Sequence, residues 1–567
     1  MEILLLLSAL IKLSIKKKVI ILAILFIVAL RLPFYLHSTG LITTSDNALE
    51  ALQSLEMKES KIAPFYLLEA TKHGTLKYLL VAFIWDLLGT NYLYLVLVQL
   101  MIFIALLYLV YEIFKPSIDP MTLFLFIFFT NFAFMEVMFN YSLSIRGGSY
   151  LEMLLLFCLG VYLFDFEFLH KTRILLAYYF IFFSIYLHPS ALLLAFSFIL
   201  CTIIYSLKSR QVIKNFALLL GGLMIGGSHL LYYLFLKTKP MYKGSWGRLE
   251  FISLSGITPK VIVHSVKNFK AIFWKIFNHE TSYLISFFPE MKIKHVFSLL
   301  NETLIYVSLA IFIIGLILVF KKLIWILSKK HKLVLNDWPY IFFLVLFISI
   351  SSELVLLNPD LFSEPRYHLD LVLLIIMSYL IVLSTLFRLR KTLSFRTAVI
   401  FSLFLLFTTP HYFCFLDMTH RKESSYQEIL SVLVKNKVKY LTTDFIIAYP
   451  IYFLSHRRIL VSDSLGPLTI ARFYPRMRAK VDKMSRARKA FLFFSEDYPA
   501  EPWRKQFTKI IKMNLLIHLK KENTAYKTCK FEDFILIIPS RGKAGDKKIS
   551  RPKDSRPSKL PQQARSN

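Results

Sequence analysis

Long apolar runs recur through the first three quarters of this chain, and no other feature constrains its fold as strongly. Those at 92–114, 215–236, 299–320, 339–357, 369–388 and 397–415 approach or exceed the roughly 18–20 residues needed to cross a hydrocarbon core. Runs that are shorter, or that carry a polar residue, lie at 19–36, 122–139, 150–168, 174–187 and 190–207. With 56% hydrophobic residues and a mean hydropathy of +0.57, the chain has more apolar surface than an ordinary soluble core can hide. The expectation is a polytopic α-helical membrane protein with about eleven transmembrane helices.

Basic residues set its orientation. The first run opens on "IKLSIKKK" and has no small-residue cleavage site near its end, so it reads as a retained first helix with its lysines in the cytoplasm. If each span changes side, the segments 115–121, 165–173, 207–214, 321–338 and 388–396 fall on that same side. They carry fifteen Lys and Arg against four Asp and Glu, as the positive-inside rule requires of cytoplasmic loops. Eleven spans then leave the N-terminus inside and the C-terminus outside, with outer loops at 37–91, 237–298 and 358–368.

The texture changes after the last span. Within 416–540, strand-like runs ("VKYL", "RRILVS", "KAFLFF", "FEDFILIIP") alternate with helix-like stretches, which reads as a small extracytoplasmic α/β domain. Residues 541–567 are rich in Lys, Arg, Pro and Ser and read as a disordered basic tail. The formal charge of +32 comes largely from cytoplasmic flanks and this tail, so it points to anionic membrane lipids and not to nucleic acid. There is no P-loop, GxGxxG, HExxH or CxxC motif, and the four cysteines form no disulfide framework.

Polar residues beside spans are costly and mark caps, partners or sites. Four clusters fall on the outer face: Asp46, Asn47 and Glu50 with Lys72, His73 and Lys77; Arg146 in "SIRGGSY"; His188 in "YLHPS"; and Glu364, Arg366, Tyr367 and His368 in "SEPRYHLD". Each has a plain explanation. Asp46 can cap a helix, the arginines can snorkel to the headgroups, and His188 can be a turn residue. Together they also have the composition of a site for a phosphate whose apolar tail lies in the bilayer. Arginine and lysine would meet the phosphate, and a carboxylate would take a proton from an incoming hydroxyl. An Asp with a usual pKa of roughly 3.9 needs partial desolvation or a well-placed hydrogen bond to do so.

In this order, an acid in the first outer loop, "PFY…KHGTLKYLLVAFIWDLLG", "RGGSY", "HP" and "EPRY" resemble the GT-C membrane glycosyltransferases. The likeness is greatest to the branch that holds bacterial aminoarabinose transferases and protein O-mannosyltransferase-like enzymes. The stretch "VKYLTTDFIIAYPIYFLSHRRILVS…RFYP" resembles the α/β domain that ends many bacterial members. The resemblance implies an inverting transfer from a polyprenyl-phosphate-linked sugar to a hydroxyl on a glycan, lipid or protein, at the outer face of a bacterial inner membrane.

It also implies that Asp46 is the catalytic base and that Lys72 and Arg366 contact the lipid phosphate, with Arg146 as a further candidate. Glu50 is a candidate second carboxylate, and Asn47, His73, His188, Glu364 and Tyr367 are candidate substrate contacts. Where many members carry two adjacent acids, this chain has Asp46 followed by Asn47, which leaves the need for a divalent metal ion open. Two rival readings remain: a transporter or flippase of a lipid-linked substrate, and a non-catalytic scaffold. A flippase calls for Gly- and Pro-interrupted spans and repeat symmetry, whereas the apolar runs here are mostly uninterrupted.

Overall fold

The computed structural model describes residues 15–37, 45–60, 66–67, 70–115, 123, 150–164, 170–188, 190–229, 263, 267, 291–328, 337–356, 369–389, 409–465, 475–495, 502–531 and 534–539. These are mostly helical and divide into two compact units. One holds residues 1–431 with 449–457 and 471–473, and the other holds 432–448, 458–470 and 474–567.

The first unit is a helical bundle. Its elements are α1 (Ile15–Leu36), α2 (Ser45–Ser60), a short hairpin of β1 (Tyr66–Leu67) and β2 (Ala70–Gly74), α3 (Leu76–Leu88), α4 (Tyr92–Phe114), α5 (Tyr150–Leu163), α6 (Lys171–Leu187), α7 (Ala191–Ser209), α8 (Val212–Gly226), α9 (Met291–Ser328), α10 (Trp338–Leu356), α11 (Leu369–Leu389) and α12 (Thr409–Lys435). Among the described residues two stretches, Tyr92–Phe114 and Ile305–Ile326, are long and apolar enough to cross a membrane. The expected run at 92–114 coincides with α4 end for end, whereas α9 extends well beyond the run at 299–320 on both sides. Lys, Leu and Phe are good enough helix formers to carry a helix past its apolar window. The expected spans at 122–139 and 397–415 lie wholly or largely outside the described residues, as do the loops 237–298 and 358–368 and the tail 541–567.

Helix α6 is the organiser of this unit, packing against α5, α7, α8 and β2. Its contact with α8 is a small-residue seam. A Cβ on Gly222 would stand 2.3 Å from Cβ of Tyr178, and one on Gly226 would stand 2.4 Å from the Tyr179 carbonyl oxygen. Close backbone approach of this kind lets apolar helices gain dispersion energy where the hydrophobic effect cannot sort them. Polar side chains tie the helices further. The Tyr178 hydroxyl bonds Thr202 of α7 and Asn215 of α8, and Ser308 of α9 pairs with Tyr379 of α11 at 2.6 Å. At the end of α1, His37 Nδ1 meets Glu423 of α12 at 2.8 Å.

The second unit is built on β3 (Tyr440–Thr442), α13 (Phe445–Leu454), β4 (Leu460–Ser462), α14 (Pro475–Asp482), β5 (Ala490–Phe494), α15 (Pro502–Lys521), β6 (Tyr526–Lys530) and β7 (Phe534–Pro539), with α13 shared in part with the first unit. The sheet order is β4-β3-β5-β7-β6. Strand β3 runs parallel to β4 and β5, and β7 runs antiparallel to β5 and β6. The continuous apolar β5, "AFLFF", is buried along its length, as an inner strand should be. Leu515 and Leu519 of α15 cover Phe491, Phe493, Ile535 and Ile537 on one face of the sheet.

Replacing Gly222 by Val should force α6 and α8 apart and cost about 1–3 kcal/mol or more, whereas Gly221→Ala meets only the flexible Cδ1 of Leu175 at 3.0 Å. Thermal unfolding of the two variants in detergent checks this. A Gly222→Val protein as stable as Gly221→Ala would show that the seam does not hold the bundle.

Candidate functional site

The sequence 45–88 holds α2, the hairpin and α3, and the two helices have a local reason. Along α2, Ala48, Ala51, Leu52 and Met57 are buried at helical spacing together with Asn47, Glu50, Gln53 and Ser54. Asp46 lies in the first turn, one helical turn before Glu50. In α3 the buried positions are Lys77, Tyr78, Val81, Ala82 and Trp85, while Leu79, Leu80, Phe83 and Leu87 are exposed. Met57, Tyr78 and Ala82 form the apolar contact between α2 and α3.

This packing inserts Lys77 between two carboxylates. Its Nζ lies 2.9 Å from Glu152 of α5 and 3.4 Å from Glu50 of α2. It also donates to Oε1 of Gln99 of α4 at 3.3 Å. The lysine side chain has no exposure and the carboxylates have almost none, 6% for Glu50 and 5% for Glu152, so solvent screens this interaction weakly. Burial alone would lower the lysine pKa; the carboxylates of Glu152 and Glu50 outweigh that and hold it above the ordinary value. The stabilisation from a raised lysine pKa is fully present below the unfolded value of roughly 10.4 and is lost only as pH rises through the folded value. The cluster therefore keeps its ammonium at neutral pH.

Neighbouring contacts join the same end of the bundle. The backbone N–H of Thr75 donates to the Tyr186 hydroxyl at 3.1 Å, and a Cβ on Gly74 would stand 2.7 Å from the Tyr186 ring. His188 caps α6, is buried, and pairs through Nδ1 with Ser190 Oγ at 2.7 Å. Its ring centroid lies 3.9 Å from that of Tyr150, two residues before Glu152.

Several of the candidates read from the sequence lie on elements that pack together. Asp46, Asn47 and Glu50 sit on α2, Lys72 and His73 lie on β2 directly before α3, and His188 ends the helix against which β2 packs. Asn47 is fully buried. Arg146, Glu364, Arg366, Tyr367 and His368 lie outside the described residues. Sequence reasoning noticed Lys77 without a role and passed over Glu152 and Gln99. A lone glutamate inside an apolar run was the available signal, because such a residue needs a partner. Among the described residues no group of three or more His, Cys, Asp or Glu side chains is set to hold a metal ion. Glu50 already faces a cation of the chain itself, so the Glu50–Glu152 pair does not fit a divalent ion.

Lys77→Met should leave two carboxylates buried without their cation and cost about 3–5 kcal/mol, while the triple change Glu50→Leu, Lys77→Met, Glu152→Leu should recover most of that loss. Unfolding midpoints in detergent read both. A Lys77→Met protein with the wild-type midpoint would show that the cluster does not hold these helices.

No protein-family model matches this chain, and no curated protein matches it. Among solved structures it is similar to the crystal structure of ArnT from Cupriavidus metallidurans bound to undecaprenyl phosphate, at 10% sequence identity and a TM-score of 0.43, covering 92% of this chain and 99% of that one.

Proposed function

We propose that this chain is a multi-pass protein of a bacterial inner membrane that transfers a sugar, with inversion, from a polyprenyl-phosphate donor to a hydroxyl acceptor at the outer face. The observation that supports this reading is that the elements bearing three separate candidate motifs are joined within the first unit. Helix α2, which carries Asp46, is tied to α3 and α5 through Glu50, Lys77 and Glu152, and β2, which carries Lys72, packs against α6, which ends at His188. The motif order resembling GT-C glycosyltransferases supports it independently.

In this mechanism Asp46 accepts the proton of the acceptor hydroxyl as its oxygen attacks the anomeric carbon from the face opposite the phosphate. The C–O bond to the phosphate breaks, and its electron pair leaves with the polyprenyl phosphate. Lys72 and Arg366, with Arg146, meet that dianion, so no strong general acid is needed. Asn47 and Glu50 position α2. Glu50 faces Lys77, so its role is to hold the helix carrying Asp46 and not to meet substrate. His73, Glu364 and Tyr367 are candidate sugar or acceptor contacts.

The test is release of polyprenyl phosphate from a panel of polyprenyl-phosphate sugars by protein in lipid nanodiscs. Asp46→Asn should lower turnover by about 100-fold or more with donor binding retained, and Lys72→Ala should weaken donor binding by about tenfold or more. Equal turnover by Asp46→Asn would remove Asp46 from the role of base. No turnover with any donor and acceptor, combined with movement of intact donor across the bilayer, would replace the enzyme by a carrier.

A further inference from the structure

Helix α15 of the second unit has two apolar faces, and the sheet accounts for one of them. Leu515 and Leu519 are buried against β5 and β7. On another side, Ile510, Met513 and Ile517 follow each other at i, i+3 and i+7, and they are 47%, 55% and 45% exposed. Three large apolar side chains in one stripe exceed the scattered exposure normal for a soluble surface. Lysines border the stripe: at 100° per residue, Lys509 and Lys520 fall on one side of it and Lys521 on the other, and all three are exposed. The helix carries six Lys and Arg in 20 residues and no acidic residue.

An exposed apolar stripe edged with lysines is the signature of a helix lying in the plane of a membrane interface. The stripe enters the headgroup boundary while the lysine stems reach out to anionic headgroups. A second copy of this chain would bring like charge against like. We propose that α15 docks on the anionic surface of the lipid bilayer through Ile510, Met513 and Ile517, held by Lys509, Lys520 and Lys521. This rests on the reading of the chain as a membrane protein, and it adds a second, surface-lying contact with the bilayer.

The experiment uses the full chain in nanodiscs of neutral lipid, or of neutral lipid mixed with anionic lipid. A polarity-sensitive dye is placed at Met513→Cys or at Met101→Cys, with the native cysteines replaced by Ser, and quenched by spin-labelled lipids. Met101 lies on the long apolar helix α4 and is 69% exposed, so its quenching reports the membrane reading alone. The expected result is quenching of Met101→Cys in both discs and quenching of Met513→Cys at least about twofold greater in anionic discs. Salt at about 0.5 M, or the triple change of Lys509, Lys520 and Lys521 to Glu, should abolish that excess.

Quenching at Met101→Cys with none at Met513→Cys would overturn the docking and point to a protein partner for this face. Equal quenching at Met513→Cys in both discs would overturn the electrostatic choice of occupant. No quenching at Met101→Cys would overturn the membrane reading itself. If the cysteine-free background fails to fold, hydrogen exchange over Pro502–Lys521 in the wild-type chain gives the same comparison: slower exchange in anionic discs supports docking, and unchanged exchange overturns it.

Discussion

An ammonium group held between two carboxylates, away from water, is the interaction on which the candidate site depends. Lys77 ties α3 to α2 through Glu50 and to α5 through Glu152, with Gln99 of α4 as a third contact. Apolar packing alone leaves helices free to slide, because one leucine contact resembles the next. A buried charge accepts only the geometry that neutralises it, since the hydration it has lost is large. Here that geometry fixes the helix that carries Asp46 relative to the start of α5 and, through Gly74 and Thr75, relative to the end of α6.

The charges proposed to act on substrate and those that hold the fold are thereby separated along a short piece of chain. Lys72 lies on β2 and Lys77 on α3, five residues apart. The first is proposed to meet a phosphate, whereas the second is spent on holding the fold. Asp46 and Glu50 divide in the same way, one helical turn apart on α2. Glu50 anchors the helix that bears Asp46, and Lys77 anchors the helix that follows the strand bearing Lys72.

Much of the helical unit was legible in the sequence because a long apolar run states both its type and its length, as α4 does. The hairpin before α3 was not, since its strands are short and lack alternation. In the second unit β3, β4, β5 and β7 were visible as apolar runs. The edge strand β6 was missed because "YKTCK" has neither buried face nor apolar period. Helix α13 was missed because "FIIAYPIYFL" has strand-like composition and contains Pro450. The acids and bases of α2, β2 and α3 could be found because charged residues are conspicuous between long apolar runs. The pairing of Lys77 with Glu152 could not, because it joins residues 75 positions apart and exists only once α3 and α5 are packed.

Gly74 has one further consequence. A glycine is usually a place where a chain can swivel. Here the space its side chain would fill is taken by the ring of Tyr186, and the next residue is bonded to that tyrosine's hydroxyl. The joint between β2 and α3 is therefore a clamp and not a hinge. The end of the strand that carries Lys72 is thereby fixed to the last turn of α6, by an aromatic ring more than a hundred residues away in sequence.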